Sequence, residues 1–165
     1  MTTTNDTSRV DAVALIFKLN NRLVTRALEG LSDDEIWTRP AGSGNAIGWI
    51  LGHITESRAS LLAELGDAGG TPWPRQFSRG STPGAVADAP SRAVMEDTWR
   101  ATSGRMREAF AELTPARLGH APTKQGLPGV TDLTSLISFY AFHESYHVGQ
   151  LGYARRLLGH RGIAD

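Results

Sequence analysis

Apolar residues recur at helical spacing in four stretches of the chain, and no stretch alternates as a half-buried strand would. From about Ser8 to Glu29, Val10, Val13, Ala14, Phe17, Leu23, Val24 and Leu28 define one apolar side, with Arg, Lys and Asn between them. A second stretch runs from about Ser43 or Asn45 to Leu65 and closes at Gly66, a residue suited to the left-handed turn that ends many helices. The third follows Ser91, whose hydroxyl suits an N-cap, and carries Val94, Met95, Trp99, Met106, Phe110 and Leu113. The fourth spans about Asp132 to Leu158, with Asp132 as N-cap and Gly159 as stop. The pattern predicts an all-α four-helix bundle. A length of 165 residues suits a single domain over 1–165 with a sizeable core.

The connections carry signals of their own. "LSDDEIWTRP" (Leu31 to Pro40) and "LTPARLGHAP" (Leu113 to Pro122) align without gaps. Each opens with a helix start: Ser32 with Glu35 forms a capping box, and Thr114 precedes Pro115 at the first helical position. This predicts two helix–elbow–helix halves. Between them, Asp67 to Pro90 is rich in Gly and Pro and too long for a hairpin, so a crossover or lid is expected between the second and third long helices. Trp73 and Phe77 are the residues expected to anchor it.

Composition narrows the class. Apolar residues make up 40% and charged residues 21%, which is globular rather than disordered. Lys plus Arg equals Asp plus Glu at 17 each, so the basic excess expected of a nucleic-acid or anionic-membrane binder is missing. There is no Cys, which excludes disulfides, thiolate-ligated zinc and a cysteine nucleophile. The start "MTTTNDTSRVD" lacks a signal-peptide pattern, and no apolar run reaches membrane-span length. A soluble cytoplasmic protein is expected.

The chemistry concentrates in "FHESYHVGQ" (Phe142 to Gln150), which contains H-E-x-x-H at His143 to His147. On a helix that pattern suggests a zinc peptidase with a glutamate general base. Its further requirements fail. Position 150 is Gln where the extended motif has Gly, position 153 is Tyr where it has His, and no Glu follows Glu144. At about 100° per residue, His143 and His147 lie only about 40° apart, on the arc shared by Leu136, Tyr140, Leu151, Ala154 and Leu158. Thr134, Ser138, Gly152 and Arg156 fall on the opposite side. Two inward imidazoles one turn apart each need a buried partner, and a metal supplies it. Glu144 falls at the edge of that arc, as a boundary residue pairing with an Arg.

A third ligand has to come from upstream. His53 is the best candidate, mid-way along the second long helix with Ala46 and Ile50 on its face and Ser57 and Ser60 alongside. His120 in an elbow and His160 after the last helix are expected to be solvated. Trp49, Tyr140 and Gln150 are pocket candidates: Trp49 as a wall, the other two to orient a bound ligand or an imidazole. Trp37 and Trp99 are expected in the core, and Arg75, Arg79 and Arg100 at the surface.

"LSDDEIWTRPAGSGNAIGWILGHI" (Leu31 to Ile54), followed far downstream by "FHESYHVGQLGYARRLLG", resembles the DinB-like (DinB/YfiT-like) family of four-helix-bundle metalloproteins, over nearly the whole chain. The resemblance implies a divalent metal held by one His on the second long helix and an H-x-x-x-H pair on the fourth, here His53, His143 and His147. Nickel, zinc, manganese and iron all accept such a donor set. The resemblance also implies a homodimer, and a transferase or isomerase that uses a low-molecular-weight thiol such as bacillithiol, mycothiol or glutathione on a small electrophile. A chain without Cys fits a thiol brought by a cosubstrate. A non-catalytic metal- or ligand-binding stress-response protein and a metal-dependent hydrolase are the alternatives.

Overall fold

The structure, a computed structural model, describes residues 3–73, 75–81 and 88–164, with side chains from Val10 onward. The described residues are all-helical and contain no strand. Four long helices, α1 (Thr3–Leu28), α3 (Ile47–Glu64), α4 (Arg92–Ala111) and α6 (Leu133–Leu157), are accompanied by two short ones, α2 (Asp33–Trp37) and α5 (Pro115–Leu118). No helix among the described residues is long and apolar enough to cross a membrane.

The termini of these helices follow from local chemistry. Ser32 and Glu35 form the reciprocal capping box that starts α2, and Thr114 caps α5 ahead of Pro115. Each elbow therefore holds one short capped helix. Ser91 accepts from the Val94 amide to start α4, and Asp132 with Ser135 caps α6. Gly66 (φ 91°) and Gly159 (φ 89°) end α3 and α6 in the left-handed region. In both turns two amides fold back onto helix carbonyls, Gly66 to Ala63 and Asp67 to Leu62, then Gly159 to Arg156 and His160 to Arg155.

Two boundaries differ from the apolar pattern. α1 starts at Thr3, several residues upstream of Val10, the first residue of the apolar stripe. α3 starts at Ile47 rather than Ser43 or Asn45, since a 3₁₀ turn over Pro40–Gly42 occupies the approach and Ala46 takes the cap position without a side-chain bond.

α6 packs against both α1 and α3, and α3 also packs against α4. The core divides into two apolar clusters. One gathers Val24, Leu28, Ile50, Ile54, Met95, Trp99, Val148 and Leu151, and the other Phe17, Leu61, Leu62, Met106, Leu136 and Tyr140. Along each long helix the polar residues between these sets fall at one level: Asn20 and Asn21, Arg58, Thr102 and Ser103, and Glu144. Trp73 and Phe77, in the connection from α3 to α4, are buried in the first cluster, as their aromatic character predicts. One face of α6 remains uncovered, with Phe142, Tyr146, Tyr153 and Leu157 exposed at helical spacing.

Candidate metal centre

The polar level is closed by a buried ion pair. Arg58 Nε donates to Glu144 Oε2 at 2.5 Å and Nη2 donates to Oε1 at 2.7 Å, while Asn20 Nδ2 donates to Oε1 at 3.0 Å. Both side chains are only 2% exposed. Arg58 Nη1 also donates to Asn21 Oδ1 and Ser103 Oγ, and its guanidinium lies over the Trp99 ring, 3.7 Å from the centroid. Glu144 pairs with an Arg as expected but is not a boundary residue. α6 has neighbours on two sides, so the flank that a single-stripe reading leaves open is covered by Asn20 of α1.

That clamp fixes the turn of α6 carrying the two histidines. His143 and His147, one turn apart, face His53 of α3, and candidate ligand atoms of the three lie within 4.8 Å of one another. His53 Nε2 stands 3.2 Å from His143 Nε2. Nitrogens bound to one zinc at 2.0–2.1 Å with tetrahedral angles are about 3.3 Å apart, so this edge already has the spacing of a shared ion.

The outer nitrogens decide which lone pairs are free. His53 Nδ1 is 2.7 Å from the Phe77 carbonyl oxygen. A carbonyl only accepts, so Nδ1 carries the proton and Nε2 keeps its lone pair. His147 Nδ1 donates to Gln150 Oε1 at 2.8 Å, which frees its Nε2 likewise. His143 Nδ1 is buried without a hydrogen-bond partner. All three rings are half-buried. Burial holds each below the ordinary histidine range, and for His143, where the neighbouring His147 and His53 add repulsion, the value falls to about 4. Neutral imidazoles are what a divalent cation requires, so the donor set fits a metal.

The surrounding rings shape the site. Trp49 stacks on His53 with centroids 5.0 Å apart and planes 10° apart, which makes it a wall. Tyr140 presents its ring edge to His143, while its hydroxyl accepts from Lys124 Nζ at 3.0 Å rather than reaching an imidazole. His120 is exposed as expected. His160 is only partly exposed and not free: the turn at Gly159 brings its Nε2 within 2.8 Å of Glu35 Oε1. Gly152, expected to point outward, is covered by Ile163 of the tail. Arg75, Arg79 and Arg100 lie at the surface, with Arg100 paired to Asp97.

The profile of the DinB superfamily matches residues 16–151, most of the chain. The chain belongs to the DinB superfamily. Among solved structures, a conserved protein from Enterococcus faecalis superposes with a TM-score of 0.61 at 14% identity, covering 92% of this chain and 94% of that one. At that identity the likeness is one of fold. No curated protein matches the sequence.

Within this DinB-superfamily chain, some residues around the histidines carried no motif. Arg58 was visible only as a cation on the face of α3 shared by Ile54, Leu61 and Leu62. Gly52 was visible only as a glycine inside a helix, a sign of close approach. Glu56 and the Phe77 carbonyl gave no local sign, because their meeting depends on where the α3–α4 connection lands.

Proposed function

We propose that the protein is a divalent-metal-dependent enzyme that joins a low-molecular-weight thiol to a small electrophile at the site formed by His53, His143 and His147. The observation that carries the reading is the convergence of three neutral imidazoles on one point, with the Nδ1 protons of His53 and His147 already engaged by Phe77 and Gln150. A divalent ion held by nitrogen donors alone keeps its full charge, and when bound it supplies acidification of a coordinated thiol or water near neutral pH. The protein's own part is to hold the donors neutral and oriented, to keep Trp49 stacked beside His53, and to lock the His143–His147 turn through Glu144 and Arg58.

We further read the four long helices as a four-helix bundle whose long α3–α4 connection crosses over the metal centre, and assign the expected homodimer contact to the exposed α6 stripe. Exposed aromatic and aliphatic side chains at regular helical spacing suit a helix-to-helix contact with a second copy.

The test begins with the metal content of purified protein. Loss of 1-chloro-2,4-dinitrobenzene is then followed with glutathione and cysteine, for wild type, chelated protein and His147→Ala. The expected result is thiol-dependent turnover that disappears in the last two samples. Turnover that survives chelation sinks the proposal. Stoichiometric metal without turnover for any thiol points instead to a metal-binding protein, and hydrolysis without thiol to a hydrolase.

A further inference from the structure

The segment 75–81 is fastened to one face of α3 at successive helical positions. Ser81 Oγ accepts from Trp49 Nε1 at 2.9 Å. The Phe77 ring, fully buried, lies against Gly52 so closely that a Cβ there would stand 2.2 Å from the ring. The Phe77 carbonyl accepts from His53 Nδ1 at 2.7 Å. The Phe77 amide donates to Glu56 Oε1 at 2.9 Å, and the Ser78 hydroxyl donates to Glu56 Oε2 at 3.2 Å. Positions 49, 52, 53 and 56 form one helical stripe, so a single face of α3 carries both a candidate metal ligand and these contacts to the strap, with Trp37 of α2 stacking on the Phe77 ring from another side.

Phe77 is the junction. Its amide and the Ser78 hydroxyl are held by Glu56 and its carbonyl meets His53, so the carboxylate anchors both ends of the Phe77–Ser78 peptide whose oxygen faces the imidazole. Without that carbonyl, nothing in this contact selects between the two neutral tautomers of His53. The tautomer with the proton on Nε2 has no lone pair to offer where His143 Nε2 approaches.

We propose that Glu56 is a positioning residue of the metal centre: by clamping the 75–81 strap it makes the Phe77 carbonyl hold His53 in the Nδ1-protonated tautomer, so that strap docking and metal binding strengthen each other. The inference rests on the three-histidine metal reading above. Linkage requires reciprocity: whatever factor the docked strap adds to metal affinity, bound metal must return as resistance of the strap to opening.

The experiment compares wild type, Glu56→Ala, Glu56→Gln and Gly52→Ala. Zinc affinity is measured by calorimetric titration against a competing chelator. The His53 tautomer is read in the metal-free proteins from long-range ¹H–¹⁵N imidazole correlations. Trypsin cleavage after the exposed Arg75 and Arg79 is timed with and without zinc. Removing an outer partner of a metal-bound histidine typically lowers affinity about ten- to a hundredfold, and that loss is expected for Glu56→Ala and for Gly52→Ala, which dislodges the ring without removing a polar group. Both should also shift His53 away from pure Nδ1 protonation. Glu56→Gln, which keeps one acceptor for the Phe77 amide, should recover most of the affinity. Zinc should slow cleavage of the wild-type strap and protect the two weakened variants less. The proposal is overturned if Glu56→Ala and Gly52→Ala bind zinc as wild type does, if the His53 tautomer is unchanged, or if glutamine is no better than alanine. Wild type that binds no zinc would remove the metal reading itself, while the tautomer comparison still decides what Glu56 does.

Discussion

Replacing Glu144 by Gln tests whether the Arg58–Glu144 pair is a structural keystone or an ornament of the polar level. Glu144 takes three hydrogen bonds, two from the Arg58 guanidinium and one from Asn20, with both charged side chains 2% exposed. Summed at about 1.5–3 kcal/mol for each charge-assisted bond, the site would be worth well over 4 kcal/mol, but most of that is offset by the cost of drying two ions. What does not cancel is the penalty for leaving one ion buried alone, about 3–5 kcal/mol. Arg58 would keep Asn21, Ser103 and the face of Trp99, so the lower end, roughly 3 kcal/mol, is expected for Glu144→Gln. Arg58→Met leaves the carboxylate with Asn20 alone and should cost at least as much. The double variant Arg58→Met/Glu144→Gln removes both charges and should be much more stable than the two single costs together imply. Urea unfolding of metal-free protein near pH 7 measures all three, provided the slope with denaturant stays constant. Costs below about 1 kcal/mol for each single variant, or simple additivity in the double, would show that the pair is solvated in solution and refute the argument.

Three further outcomes follow from the same geometry. All three histidines are depressed below the ordinary value of 6.5, so an unfolded chain takes up protons before the folded one does. Their contribution to stability is therefore complete above about 6.5 and drains away as pH falls, through the about 4 of His143; the urea midpoint of metal-free protein should drop across that window and drop less in His143→Gln, and a midpoint that rises on acidification there contradicts the assignment. Gln150→Leu removes the acceptor of His147 Nδ1 and should weaken zinc binding about ten- to a hundredfold in the same calorimetric titration, an unchanged affinity being the refuting result. Tyr153→Glu puts a charge in the middle of the exposed α6 stripe; if the wild type sediments as the homodimer proposed above, the variant should sediment as a monomer, whereas an unaltered dimer would place the contact elsewhere and a monomeric wild type would refute the dimer itself.

The sequence by itself determined what short-range physics controls. Apolar periodicity located the four long helices, the caps at Ser91 and Asp132 with the glycines at 66 and 159 placed four of their ends to within a few residues, and the caps at Ser32 and Thr114 marked the starts of the two short helices. The 40° offset of His143 and His147 is a property of any helix, so their shared face was legible before any packing was known, as was the failure of the peptidase motif beyond them. His53 was legible as a candidate through its place on a helix and through resemblance. Only the tertiary structure decided which groups complete the site. Glu144 is buried because α1 covers a flank of α6 that one stripe of apolar residues does not reveal. Arg58 is buried because three other helices supply its partners at one level. Glu56, Gly52 and the Phe77 carbonyl gain their meaning from a loop that lands on α3 more than twenty residues away in sequence. Helical period is set by the backbone and repeats in every sequence that adopts it, whereas the pairing of a carboxylate with a guanidinium or a carbonyl with an imidazole depends on distances that only the folded chain defines.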